Sequence, residues 1–139
     1  MNIAPHLQAL TVKQFCINET LLAMTEHPSH RGVQVAGCGA LRFLQPNTPE
    51  NIDRVVDILL LTLANHGADL EVSRQTVFSL VDLSAFPAVL EHLRTTTAAV
   101  NVQEAMQRNP SDDMLRWYAE RLLYRLTFTT MAHAGVPLQ

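Results

Sequence analysis

A chain of 139 residues, 47% hydrophobic and 17% charged, is long enough for one domain with a real core and too apolar for a disordered segment. Ten basic against thirteen acidic residues leave a formal net charge of −3. No basic block follows a phosphate backbone, so nucleic acid is not an expected partner.

Taken in order, the first thirteen residues are ambiguous, with Pro5 a possible start for a short helix. Residues 17–26 read as a helix with Leu21, Leu22 and Met24 on its apolar side, ended by Pro28, which disfavours helical backbone before it. Ser29 is the expected cap of a helix over residues 30–44. There Val33, Ala36, Gly37, Ala40, Leu41 and Leu44 recur at three- and four-residue steps and share one face. Gly37 and Gly39 each cost about 1 kcal/mol relative to Ala inside a helix, which a closely approaching neighbour would explain.

Thr48 is a plausible cap after Pro46, and residues 52–66 form the next expected helix, with Val55, Val56, Leu59, Leu60 and Leu63 inward. Gly67 stops it, and Asp69 caps residues 70–83, whose buried side is Val72, Thr76, Val77, Leu80 and Leu83. Ser84 is expected to cap a short helix from residue 85 to about 93, with Pro87 tolerated in its first turn. After a turn at 95–97, residues 98–108 are helical, and Pro110 ends that helix. Ser111 or Asp112 caps the last one, which runs to about residue 130 with Leu115, Ala119, Leu122, Leu123 and Leu126 inward. Residues 133–139 read as a frayed tail. No stretch alternates as a strand does, so the expected class is all-α.

One design recurs three times. Residues 27–44, 66–83 and 109–126 align without a gap. Each window opens on His or Asn, passes through a Pro or Gly turn, and runs as an amphipathic helix ending on Leu. Val33, Val72 and Leu115 coincide, as do Gly37, Thr76 and Ala119, then Leu41, Leu80 and Leu123, and Met24, Leu63 and Met106 match on the preceding helix. A spacing of 39 and then 43 residues between windows is that of a stacked helical repeat, in which no unit buries its apolar face alone.

The segment VQVAGCGALRFL, residues 33–44, resembles the third helix of an armadillo repeat, roughly V-Q-x-x-[AG]-[CA]-x-A-L-x-N-L. The match is weaker in VSRQTVFSLVDL and weakest in LRWYAERLLYRL. The resemblance implies a single domain, a short right-handed α-solenoid of about three armadillo or HEAT-like repeats at about 13–45, 46–84 and 85–130, with 131–139 as a tail. It implies a concave surface that binds a protein or peptide partner, acting as a scaffold and not as an enzyme. The family's backbone-holding Asn is replaced by Phe43, Asp82 and Arg125, so a helix or folded surface is a better expected ligand than an extended peptide. The expected contact residues are Gln34, Arg42, Phe43, Arg74, Asp82, Trp117, Arg121 and Arg125. Trp117 is the only tryptophan and has a competing reading as filler between helices. Self-association through the ends of the stack is the second expectation.

His27, His30 and His66 invite a metal reading, but Pro28 interrupts the first pair and no carboxylate or cysteine cluster joins them. Histidine capping a helix C-terminus is the plainer reading. Cys16 and Cys38 make no disulfide framework, and neither has the positive surroundings of a reactive thiolate. No nucleophile elbow, phosphate loop or paired-carboxylate motif appears, so no cofactor is expected. The N-terminal stretch lacks a signal pattern, and the longest apolar run, residues 55–63, is broken by Asp57 and Thr62 and too short for a bilayer. A reducing, cytoplasmic setting without a membrane is the expectation.

Overall fold

The computed structural model describes residues 4–133. Among them are seven helices and no strand: α1 Pro5–Glu26, α2 Arg31–Leu44, α3 Pro49–His66, α4 Leu70–Leu83, α5 Pro87–Arg94, α6 Ala98–Arg108 and α7 Asp113–His133. The chain is all-α. The expected tail beyond residue 133 lies outside the described residues.

The helices pack as two rows. In one, α2 lies against α4 and α4 against α7. In the other, α1 lies against α3, and α3 against both α5 and α6. Contacts between α1 and α2, α3 and α4, and α6 and α7 close the rows on each other over a shared core. Leu41, Leu80, Val77, Leu115 and Leu122 fill it from the first row, and Ile17, Val55, Leu59, Leu63, Leu93 and Val102 from the second. Leu80 and Leu41 are buried as their shared register requires, whereas the equivalent Leu123 is only half-buried and Leu122 goes inside instead.

Local chemistry explains most boundaries. Thr48, Asp69 and Asp112 accept from the backbone N–H groups of Asn51, Val72 and Leu115 at 3.2, 3.1 and 2.8 Å, each three residues on. Ser29 does not cap α2. His30 does, its Nδ1 accepting from Val33 N at 3.2 Å, so this ring caps a helix start and not a helix end. His30, Asp69 and Asp112 occupy the same place in the three windows. Ser84 likewise does not open a helix. It closes α4 by donating to the Val81 carbonyl at 2.6 Å, and α5 starts only at Pro87, which sits at the first helical position where its missing N–H costs nothing. Pro49 does the same for α3 and starts it before residue 52.

The longest departure is α1, which runs unbroken from Pro5. Leu7, Leu10, Gln14, Ile17, Leu21 and Met24 alternate steps of three and four, one helical stripe. Ile17, Leu21 and Met24 are buried, while Leu7 and Leu10 carry the same stripe beyond the rest of the fold and stay about half exposed. Gln14, at the junction, exchanges amide hydrogen bonds with Asn51 on α3.

The two α2 glycines differ. A Cβ on Gly37 would stand 2.4 Å from the Met24 sulfur, so α1 and α2 approach closely there. A Cβ on Gly39 would meet nothing within 4 Å, so close packing does not account for that glycine. Among the described residues, no single helix is long and apolar enough to cross a membrane.

Candidate functional site

Five of the eight sequence-predicted contact residues come together. Arg42 from α2, Asp82 from α4, and Trp117, Arg121 and Arg125 from α7 line one cleft of about 480 Å³, with Gln45, Phe86 and Tyr118. It lies where the C-terminal turns of α2 and α4 meet the middle of α7, and Phe86 in the α4–α5 connection closes one side.

Each wall has a physical reason. Arg125 is held down by its Nη1, which donates to the Val81 carbonyl and to Ser84 Oγ, both at 2.7 Å. Partial burial pulls its guanidinium below the ordinary arginine range, the neighbouring Arg121 charge adds to that, and Asp82 opposes it. It stays charged at any accessible pH. Arg121 stands over the Trp117 ring, its guanidinium carbon 5.5 Å from the centroid, a cation–π arrangement. Trp117 meets Tyr118 edge-on at 5.0 Å, and Tyr118 packs on Phe78 of α4 at 4.2 Å, which fixes the α7 aromatic pair against the row. Arg42 and Asp82 form a loose pair at 3.6 Å, with side chains 38% and 57% exposed. Behind the cleft, Arg94 of α5 donates to the Leu126 and Arg125 carbonyls and to Glu91, tying α5 to α7.

The other three residues lie elsewhere. Phe43 is 86% exposed and lines a separate hollow with Pro5, Val12 and Cys16 on the outer half of α1. Arg74 sits at the opposite end of α4 and pairs with Asp112, the cap of α7; its Nε donates to Oδ2 at 3.1 Å. Gln34 is no surface contact at all: it is 2% exposed. Its amide nitrogen donates to the Met24 and His27 carbonyls at 3.1 and 3.0 Å, and its oxygen accepts from Thr62 at 2.9 Å, so it satisfies the end of α1 inside the fold. Trp117, at 57% exposure, faces the cleft and is not mainly filler between helices.

Sequence reasoning missed Phe86 and left Tyr118, one of the aromatics of the third window, off the expected contacts. Pro87 was the available signal for Phe86, because proline at a first helical position puts the preceding residue at the helix mouth. Tyr118 had no local signal, since its place depends on α7 meeting α4.

The Cys38–Thr76 contact lies in the packed interior. Thr76 gives its single hydroxyl proton to the Val72 carbonyl at 2.7 Å, so the Cys38 thiol, 3.4 Å away, is the donor in that contact. Burial pushes the Cys38 thiol up to about 11. Among the described residues, no group of His, Cys, Asp or Glu is placed to hold a metal ion. No protein-family model, curated protein or solved structure matches this chain.

Proposed function

We propose that this protein is a non-catalytic interaction module, a short armadillo- or HEAT-like α-solenoid that docks a protein partner in the cleft between α4 and α7. The observation that carries this reading is the convergence, on one cleft, of an exposed tryptophan, three arginines and two further aromatics from three separate elements. Tryptophan, tyrosine and arginine are the side chains that supply most binding energy at protein interfaces. Support for the solenoid comes from the two rows of helices and from the equivalent caps His30, Asp69 and Asp112. The site has the size of a pocket for a few side chains and lies outside the packed core.

The test is capture of a partner from the cells that make the protein, comparing wild type with an Arg42→Glu, Trp117→Ala, Arg121→Glu variant whose helicity is checked by circular dichroism. A partner held by wild type and lost by the folded variant supports the reading. A partner held equally by both removes the cleft as the docking site.

A second reading, self-association, is favoured by the stripe of α1 that overruns the fold. Leu7 and Leu10 continue the line of Ile17 and Leu21 and stay about half exposed, and exposed Val12, Phe15 and Phe43 stand nearby. A second copy laid along α1 would bury this stripe. Light scattering across a concentration series, with Leu10→Glu as the control, decides it: a strict monomer at high concentration excludes the reading.

A further inference from the structure

We infer that the ligand of the cleft is an acidic segment of a partner protein, its carboxylates held by Arg42, Arg121 and Arg125 and one apolar side chain laid on Trp117. The inference rests on the docking reading above and adds the chemistry of the occupant.

Charge is the first reason. Three guanidinium groups line the cleft against the single carboxylate of Asp82, in a chain whose net charge is −3. Arg121 has no carboxylate partner among the described residues, and Arg121 and Arg125 repel each other across a partly desolvated space. An incoming anion relieves that repulsion.

Geometry is the second reason. Arg125 is already fixed by two hydrogen bonds through one nitrogen, and among the described residues its Nε and Nη2 have no acceptor. A carboxylate meets a guanidinium fork whose side-chain entropy has largely been lost on folding. The Arg42–Asp82 contact is exposed and long, the kind of pair that contributes little stability, so a ligand carboxylate can replace Asp82 on Arg42. Asp82 is then a competitor of the ligand and not part of its grip. Trp117, more than half exposed with Arg121 over its ring, offers aromatic surface beside these cations for an aliphatic or aromatic side chain.

The same facts disfavour a nucleic acid. Polyanion binding draws on many phosphate contacts spread along a surface. Here the positive charge is confined to three side chains, and the remaining chain is acidic.

Trp117 is the only tryptophan of the chain and stands on the cleft wall, so its emission reports occupancy directly. The probes are a glutamate-rich peptide with one central leucine, the same peptide with glutamine for glutamate, and a single-stranded oligothymidylate. The expected result is a saturable emission change with the glutamate peptide, weakened by added salt and absent with the glutamine peptide. Arg121→Gln weakens it about tenfold, the loss of one charge-assisted contact. Asp82→Asn tightens it, which a merely structural role for these residues would not produce. An equal response to the glutamine peptide, a stronger response to oligothymidylate, or no response at all overturns the inference. If the peptide leaves Trp117 unmoved while charge reversal in the cleft still abolishes partner capture, the acidic ligand is wrong and the docking reading stands. If reversal leaves capture unchanged, both fall.

Discussion

The side-chain amide of Asn109 donates to the carbonyl of Gly67 at 2.9 Å, and His66 stands in the same relation to Pro28, its Nε2 2.7 Å from that carbonyl. A carbonyl can only accept, so His66 carries its proton on Nε2. His27, His66 and Asn109 open the three windows, and Pro28 and Gly67 are their second residues. The second and third windows are therefore each tied to the turn of the one before by one side chain at one register position. Gln34 and Ser73, equivalent to each other, back the same turns from the helix side by donating to the carbonyls of His27 and Gly67 at 3.0 and 3.1 Å.

Asn109→Ala removes the bond to Gly67 and a second one to Ala105. The expected loss is about 1–2 kcal/mol, the net worth of such partly buried bonds, measured by urea denaturation. His66→Asn, which keeps a donor at the register position, loses less than His66→Ala.

The two α2 glycines give opposite signs. Gly37→Ala drives a methyl into Met24, itself 2% exposed, and costs about 1–3 kcal/mol of overpacking, partly offset by better helix propensity. The cost shrinks in a Met24→Ala background, because the methyl then has room. Gly39→Ala meets nothing and stabilises by up to about 1 kcal/mol. Thermal denaturation of the single variants and the double variant separates these effects.

Acid sensitivity follows from two caps. The Arg31 guanidinium, bonded at 2.6 Å, holds Asp69 below the usual carboxylate range, and Arg74 does the same for Asp112, helped by the Leu115 N–H. A carboxylate depressed in the folded state contributes its stability above its unfolded pKa, about 3.9, and loses it as pH falls toward the lower folded value. An Asp69→Asn, Asp112→Asn variant keeps cap acceptors and loses both ion pairs. It should be less stable than wild type at neutral pH, and the two unfolding curves should converge in acid. Parallel curves down to acid pH would contradict the assignment.

Thiol reagents should distinguish the cysteines. Cys38 is fully buried with its thiol pushed up to about 11, while Cys16 is only half-buried on α1. One thiol titrates quickly in the folded protein, and the second only on unfolding. Fast reaction of both would place Cys38 in an opening region.

The helices were legible where their signals are local. Thr48, Asp69 and Asp112 declare helix starts because a short oxygen-bearing side chain three residues before an N–H is a contact within one turn. Ser29 and Ser84 carried the same signal and misled, since a hydroxyl serves either end of a helix and the neighbouring residue decides. The outer half of α1 was written in its alternating steps of three and four, but Pro5 and the polar residues between obscured them. Gln34 was misplaced outside because its amide looks like surface, and only the approach of α1 and α3 supplies the three partners that make it internal. The cleft gathers residues from three windows, so its members were nameable one by one from register while their grouping was not. Phe43 shows the limit: it shares register with Asp82 and Arg125 but faces the hollow beside α1.

Docking at the α4–α7 cleft is tested most directly by a photo-crosslinking amino acid placed in cells at Trp117, on the cleft, and separately at exposed Ala64 on α3. Docking predicts a discrete crosslinked partner from position 117 that is absent from position 64. Adducts from position 64 alone, or the same adducts from both, would contradict it.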